Sequence, residues 1–110
     1  MDYDKDYYLI PKVLFRDDFY SSLSASDILV YTVLKGKQTE AIEKGWIDAE
    51  GSIYLNYKIS ELAKMFSCGN KTMIHILQRL EEVNLIERER QMAGYYYNRS
   101  LPYRTYINEV

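Results

Sequence analysis

The sequence predicts an α+β, mostly α, domain in which a helix-turn-helix is followed by a two-stranded hairpin. Two apolar stripes with the helical spacing i, i+3, i+4, i+7 follow one another at residues 59–66 and 73–80, separated by a short turn that contains a glycine. A segment alternating with a period of two comes next, at residues 85–90. Because 110 residues suffice for one domain, we expect residues 1–110 to share one core.

Composition excludes several classes of protein. With 47% hydrophobic and 27% charged residues the chain is not disordered as a whole. It has no apolar run of about 20 residues and no amino-terminal signal, so we expect a cytoplasmic protein with no membrane partner. A lone Cys68, which we expect to be a small buried residue, and a lone His75 exclude an internal disulfide and a Cys/His zinc site. We expect no cofactor, no metal and no enzymatic activity, because no nucleophile with a base and no Gly-rich phosphate loop is found.

Residues 1–20 are predicted to form an extended arm and a short helix. The residue before a proline disfavours the helical region, so residues 7–11 should be extended, and Pro11 suits the first turn of a helix at residues 12–16. Two aromatic residues should anchor the chain after this helix: Phe19 and Tyr20. Three tyrosines are left open between core, dimer contact and disordered arm: Tyr3, Tyr7 and Tyr8.

The densest apolar segment is predicted to be the central core helix. Ser24 with Asp27 three residues later resembles a capping box, and closely spaced apolar residues follow at 28–34. Gly36 weakens the helix, which either continues or restarts before Gly45. Beyond it, apolar pairs on either side of a turn at residues 48–51 indicate a short hairpin.

Residues 58–84 are predicted to be the helix-turn-helix, with the second helix beginning near Asn70 and ending near Asn84. If its apolar stripe faces the core, helical geometry places five residues outward: Asn70, Lys71, Ile74, His75 and Gln78. Such a face suits the major groove of DNA, where amides pair with adenine, lysine with guanine and an apolar side chain with the thymine methyl group. Thr72 either contacts a phosphate or packs inward. Phosphate contacts are expected from Lys58, Lys64 and Arg79.

Residues 85–110 are predicted to form a wing hairpin, because residues 104–107 can pair back onto the alternating strand. The charges at 87–90 indicate solvated surface. Arginine suits a narrow minor groove and tyrosine hydroxyls bond phosphates, so the wing tip offers further DNA contacts: Arg90, Tyr95, Tyr97, Asn98 and Arg99.

The net charge of −2 hides an asymmetry. Residues 1–57 hold six Lys or Arg against ten Asp or Glu, whereas residues 58–110 hold eight against six. No acid occurs between Lys64 and Leu80 or between Arg90 and Tyr106. Because steering depends on the local field, the carboxyl-terminal half can attract DNA despite the acidic total.

Several short motifs carry a family resemblance. They are Tyr8-Leu9-Ile10-Pro11-Lys12 with Leu14-Phe15, Leu23-Ser24, Gly45-Trp46-Ile47-Asp48, and Leu80-Glu81-Glu82-Val83-Asn84-Leu85-Ile86-Glu87-Arg88. Over nearly its whole length the sequence resembles the N-terminal domain of the RepA-type plasmid replication initiators of Gram-positive bacteria. The last motif recurs across bacterial winged-helix regulators, so it supports the fold more than the family.

The resemblance implies a winged-helix domain that binds double-stranded DNA at the repeats of a plasmid origin, generally as a homodimer. It also implies a C-terminal region, beyond Val110, for host replication factors. Gly69 departs from the pattern, since winged-helix proteins often have Ser or Thr there. Two alternatives stay open: a transcriptional repressor on the same fold, and a winged-helix module that binds another protein.

Overall fold

The computed structural model describes residues 6–93, 96–97 and 101–110, with the backbone alone for residues 93, 96 and 97. Its elements confirm the predicted α+β class and the helix-turn-helix with a two-stranded wing. A 3-10 turn at Asp18–Tyr20 follows the first helix. In chain order the elements are α1 (Val13–Arg16), α2 (Ala25–Gly36), α3 (Gln38–Glu43), α4 (Ile59–Met65), α5 (Asn70–Glu82), β1 (Ile86–Glu89), β2 (Met92–Ala93), β3 (Tyr96–Tyr97) and β4 (Arg104–Ile107).

The short helix α1 is where the proline predicts it, and Leu14 buries it against the core. It ends at Asp17, whose carboxylate accepts a hydrogen bond from the Phe19 N–H at 2.9 Å. The prediction that Phe19 anchors the chain is wrong, because its side chain is 57% exposed. The ring of Phe19 instead packs edge-to-face on Tyr20, which is the residue that contacts the core.

The arm before α1 lies on the surface of the domain. Tyr7 and Tyr8 are both exposed, so neither belongs to the core. Tyr8 packs over the last residue of α2, where a Cβ added to Gly36 would lie 2.9 Å from its ring. A glycine at this position therefore allows the arm to approach the helix closely.

The predicted capping box starts α2. The Ser24 hydroxyl accepts from the Asp27 N–H at 3.1 Å, and the Asp27 carboxylate accepts from the Ser24 N–H at 2.9 Å. Tyr31 and Leu34 are fully buried, which confirms α2 as the central helix, whereas Leu29 is half exposed. Burial raises the pKa of Tyr31 to about 12, and its hydroxyl donates to the Asn108 carbonyl at 2.6 Å.

The helix restarts after Gly36 as α3, and Gly45 follows it with a φ of 74°. The predicted short hairpin after Gly45 is present, with a bridge between Ile47 and Ile53 and a hydrogen bond of 3.1 Å from the Tyr54 N–H to the Trp46 carbonyl. Leu55 also pairs with Thr105 of β4 through N–H to carbonyl hydrogen bonds of 2.8 and 2.9 Å. This segment therefore joins the sheet of the wing.

Helices α4 and α5 form the predicted helix-turn-helix. Ser67, in the turn between them, has a φ of 54°, and Cys68 is half buried against the core. Helix α5 ends at Glu82, two residues earlier than predicted. Asn84 adopts a φ of 59°, a left-handed conformation that asparagine tolerates just beyond a helix end.

The wing follows α5 directly. Strands β1 and β4 pair antiparallel, with Ile86 opposite Ile107 and Arg88 opposite Thr105. The hairpin continues with β2 paired to β3. Apolar side chains from the helices, Leu55 and β1 form a single core: Leu14, Ile28, Val30, Tyr31, Leu34, Ala41, Leu55, Leu62, Ala63, Met73, Ile76, Leu77, Leu80, Val83, Leu85 and Ile86.

Candidate nucleic-acid interface

Helix α5 has one buried side and one exposed side, as its sequence predicts. Met73, Leu77 and Leu80 have no exposed surface, and Ile76 is buried beside them. The opposite side, which we call the outer face of α5, carries six exposed residues: Asn70, Lys71, Thr72, Ile74, His75 and Gln78. Thr72 is therefore exposed and does not pack inward. Five of these six side chains carry a hydrogen-bonding group.

Arg79 lies at the edge of this helix and is bound within the fold. Its Nε and one Nη donate to the two carboxylate oxygens of Asp27, at 2.8 and 2.9 Å. The Asp27 side chain has no exposed surface, whereas that of Arg79 is 39% exposed. Arg79 thus joins α5 to the capped start of α2. The prediction of a phosphate contact assumed a free guanidinium, but that of Arg79 is bound to Asp27.

Two opposing effects set the charge of this pair. Burial acts to raise the pKa of Asp27, but hydrogen bonds from Arg79 and Ser24 outweigh it and hold the pKa below its ordinary range. Hydrogen bonding to Asp27 raises the pKa of Arg79. Both groups are therefore charged at neutral pH, and the pair fixes the second helix of the motif on the central helix.

The first helix of the motif carries two exposed lysines, Lys58 and Lys64. Lys58 stands at the N-cap position of α4, where its backbone N–H donates to the Glu61 carboxylate at 3.0 Å. The Lys58 backbone is thereby fixed while its ammonium stays exposed, as the prediction of a phosphate contact requires.

The start of α4 is supported by an aromatic cluster that the Gly-Trp-Ile-Asp motif builds. Trp46 packs edge-to-face on Tyr57 with 5.2 Å between ring centroids. The Lys44 ammonium lies 4.7 Å from the Trp46 ring and 3.2 Å from a Glu40 oxygen. Asp48 accepts hydrogen bonds from the Glu50 and Ser52 N–H groups at 2.9 Å. The motif therefore positions the segment from which the helix-turn-helix begins.

An open groove runs between the helix-turn-helix and the wing. Asn70, Ile74 and Gln78 of α5 line one wall, and Tyr57 and Ser60 also line the groove. Arg88 and Tyr103 of the wing line the opposite wall, which sequence reasoning missed. The outer face of α5 and the inner face of the wing thus border one continuous surface.

Arg88 is half buried, which corrects the prediction that the whole 87–90 segment is solvated surface. Its guanidinium lies 4.6 Å from the centroid of the Tyr103 ring, and its Nε is buried with no hydrogen-bond partner among the described residues. Burial lowers the pKa of Arg88, although a guanidinium remains protonated at neutral pH. The alternation with a period of two could have indicated that Arg88 is half buried, since it places Arg88 on the same face of the strand as Ile86.

Arg90 lies at the base of the hairpin rather than at its tip. Its Nε donates to the Tyr103 hydroxyl at 2.8 Å. We call Arg88, Arg90 and Tyr103 the wing base. Three predicted contacts, Tyr95, Asn98 and Arg99, lie outside the described residues, as does the side chain of Tyr97.

Two further observations concern the part of the chain that the structure describes. No group of three or more His, Cys, Asp or Glu side chains there is arranged to hold a metal ion. No helix there has the length and apolar character needed to cross a bilayer.

Comparison with known proteins adds to this geometry. A family model described as the N-terminus of replication initiator protein A (RepA) matches residues 6–110. A curated relative, the 41 kDa protein of Lactobacillus helveticus, is 24% identical over 101 residues, which cover 92% of this chain and 29% of that protein. The chain thus spans less than a third of that relative's length.

Solved structures with the same fold cover 97% of this chain. The N-terminal domain of a DNA binding protein is 25% identical with a TM-score of 0.83 and is covered over 77% of its own chain. A Rep-DNA complex is 25% identical with a TM-score of 0.82, covered over 78%. An MDR initiator is 31% identical with a TM-score of 0.80, covered over 79%. Since the family model matches residues 6–110, the chain belongs to the family of RepA replication initiator N-terminal domains.

Proposed function

We propose that this chain binds double-stranded DNA in a sequence-specific manner, at the repeats of a plasmid origin where replication begins. The observation that carries the proposal is the outer face of α5, an exposed helix surface whose side chains can hydrogen-bond to base edges. Membership of the initiator family and likeness to a solved Rep-DNA complex support it.

The roles of the residues follow from their chemistry. Asn70 and Gln78 would pair with adenine, Lys71 with guanine, and Ile74 with a thymine methyl group, each good bidentate pair being worth about 1–3 kcal/mol of discrimination. His75 would add a further contact beside them. Lys58, Lys64 and Thr72 would bind phosphates and fix the register. Wing-tip contacts are proposed for Tyr95, Tyr97, Asn98 and Arg99. We leave Arg79 out, because Asp27 holds its guanidinium.

The proposal includes a homodimer. Large apolar side chains are exposed along the arm and α1: Tyr7, Tyr8, Leu9, Ile10, Val13, Phe15 and Phe19. An exposed apolar surface of this kind favours association with a second copy. A two-fold axis would then place two α5 helices in successive major grooves, about 34 Å apart. Light scattering on the Phe15→Ser variant should show loss of the dimer, whereas Ile42→Ser, at an exposed residue of α3, should not.

Host replication factors are proposed as further partners, as initiation of replication requires. A repressor on the same fold would bind DNA equally well, so the target sequence must separate the two functions. A module that binds another protein is the alternative that the acidic total charge supports.

Selection of bound duplexes from a random pool tests the proposal. We expect enrichment of a repeated or dyadic sequence, and titration of that duplex by fluorescence anisotropy should give an affinity that falls steeply with salt. Lys71→Ala should weaken binding, while Lys35→Ala, which removes a lysine paired with Glu109, should not. Absence of enrichment, together with weak binding that does not depend on salt, would favour the module that binds protein.

A further inference from the structure

The inner face of the wing, which carries Ile86, is apolar at one end and cationic at the other. In an antiparallel pair, residues directly opposite one another share a face. Ile86 and Ile107 therefore pack toward the core, followed by Arg88 with the buried Thr105. The same alternation carries the face on to Arg90 and Tyr103, which are joined by a hydrogen bond. The apolar end of this face is covered by the helices, and its cationic end borders the groove beside α5.

Tyr103 orients two guanidinium groups at once. The carbon atom of the Arg88 guanidinium lies 4.6 Å from its ring centroid, and that of Arg90 lies 5.8 Å away. The Tyr103 hydroxyl also accepts a hydrogen bond from the Arg90 Nε at 2.8 Å. A planar guanidinium that lies over an aromatic ring keeps its N–H groups for a ligand in the plane of the guanidinium itself.

The position of the wing base is fixed from behind. The Gln91 side-chain amide donates to the side-chain oxygen Oδ1 of Asn56 and to the backbone carbonyl of Pro102, both at 2.7 Å. These bonds join the two strands of the hairpin to the segment that leads into α4. The wing base is therefore held at a set distance from the helix-turn-helix.

No carboxylate neutralises Arg88 within the described residues. Arg88 makes no ion pair there, and its Nε is buried without a hydrogen-bond partner. Glu81, which lines the same groove, is the acid that acts on Arg88 electrostatically, but it lies beyond ion-pair distance. Arg88 lines the groove beside α5, so its charge would attract an anion that lies in the groove.

The other face of the hairpin provides a contrast. Arg104 also stacks on a tyrosine, with its guanidinium carbon 4.4 Å from the Tyr54 ring. Its register partner is Glu89, and alternation places Glu87 and Tyr106, which donates to Asp48, on the same face. The Nε of Arg104, like that of Arg88, is buried without a hydrogen-bond partner among the described residues. Two similar arginine-on-tyrosine pairs thus belong to opposite faces of the hairpin, and of the two arginines it is Arg88 that lines the groove beside α5.

We propose that the wing base, Arg88 and Arg90 oriented by Tyr103, is a binding site for a backbone phosphate of DNA. The inference rests on the DNA binding proposed above, and it adds Arg88 and Tyr103 to Arg90, which the sequence already predicted as a DNA contact. The groove brings the site to the same surface as the outer face of α5. A duplex whose major groove receives α5 would present a phosphodiester to the adjacent wall. Guanidinium groups bind phosphate oxygens through two parallel N–H bonds.

The test compares Arg88→Gln with Arg104→Gln, which removes the same charge from the opposite face. Affinity is measured by fluorescence anisotropy on a mixed-sequence duplex about two helical turns long, at several salt concentrations. Arg88→Gln should weaken binding about tenfold and lower the salt slope by about one. Arg104→Gln should keep the wild-type slope. Equal affinity and slope in the two variants would overturn the phosphate site, whereas a wild-type protein without salt-dependent binding would overturn the proposed function itself.

A second measurement separates phosphate from base recognition. On the duplex enriched by selection and on the mixed-sequence duplex, loss of a phosphate contact should lower affinity by the same factor. A loss confined to the enriched duplex would assign Arg88 to a base and overturn the proposal. Thermal unfolding of each variant checks its fold, and Tyr103→Phe provides an independent variant. It keeps the ring beside Arg88 and removes the hydroxyl that holds Arg90, so it should reduce affinity less than Arg88→Gln does.

Discussion

Helix α5 and the wing each carry an arginine that faces the protein, and the two arginines have opposite surroundings. Arg79 of α5 donates two hydrogen bonds to a carboxylate with no exposed surface. Arg88 of β1 stacks on a tyrosine and makes no ion pair among the described residues. The charge of Arg79 is satisfied within the fold, while that of Arg88 is available to a ligand. The difference assigns stability to the first arginine and binding to the second.

The same contrast separates the two surfaces that we propose contact DNA. The outer face of α5 holds one lysine among otherwise neutral or weakly basic side chains, which suit recognition of base edges. The wing base holds two arginines on one tyrosine, which suit phosphates. We therefore expect sequence discrimination to come mainly from the helix and salt dependence to come in part from the wing.

The largest expected effect is on the satisfied arginine. Arg79→Ala leaves the Asp27 carboxylate buried without its partner, and we expect the free energy of unfolding to fall by about 3 kcal/mol. Urea unfolding measures the change. Lys35→Ala, which breaks the exposed pair with Glu109, is the control and should cost less than about 1 kcal/mol. A similar small loss in both variants would contradict a structural role for Arg79.

The next effect concerns discrimination by the helix. Gln78→Ala should reduce the difference in binding free energy between the enriched and the mixed-sequence duplex by about 1–3 kcal/mol, with the salt slope unchanged. Gln38→Ala, on α3 away from the groove, should leave both quantities as in the wild type. If the salt slope fell while discrimination persisted, Gln78 would be a phosphate contact and the division between helix and wing would be wrong.

Acid should lower the free energy of unfolding by less than Arg79→Ala does, because protonation of Asp27 removes its charge but keeps both side chains in place. The folded-state pKa of Asp27 lies below its unfolded value of about 3.9. Its contribution to stability is therefore complete above about pH 4 and is lost as the pH falls below that value. Unfolding at a series of pH values should show a steeper acid loss for the wild type than for Asp27→Asn. Parallel curves would contradict this.

The smallest expected effect is on the stability of the wing. Arg88→Ala removes a stacking contact with Tyr103 and should cost about 0.5–1 kcal/mol of unfolding free energy. Urea unfolding alongside Arg79→Ala makes the comparison direct. A loss as large as that of Arg79→Ala would show that Arg88 stabilises the fold and would remove the contrast between the two arginines.

Local patterns predicted most of the fold. The Ser24–Asp27 capping box, the helix-turn-helix and the β1–β4 pairing all depend on residues near in sequence or on a clear period, and each is present. The short hairpin after Gly45 is present as well, but its pairing to the wing through Leu55 and Thr105 was not predicted. Propensity cannot indicate such a partner, because the two residues are fifty positions apart.

The surface was predicted less completely, for the same reason. The helical period placed the outer face of α5 correctly, because periodicity decides which side chains face away from the core. It could not show that Arg79 meets Asp27 or that Arg88 meets Tyr103, since neither pair is local. The sequence identifies which side chains are charged, but their partners depend on how α2, α5 and the wing pack together.

The bridge from Leu55 also affects how the wing behaves toward other chains. A residue in a strand directs its N–H and carbonyl to the same side, and Thr105 gives both to Leu55. Strand β4 is therefore paired along one edge with β1 and at its centre, on the other edge, with Leu55. Among the described residues β1 has no strand on its other edge, and along that edge Glu87, Arg88 and Glu89 alternate in charge. Such an edge resists the addition of a strand from another molecule and so protects the domain from edge-to-edge aggregation.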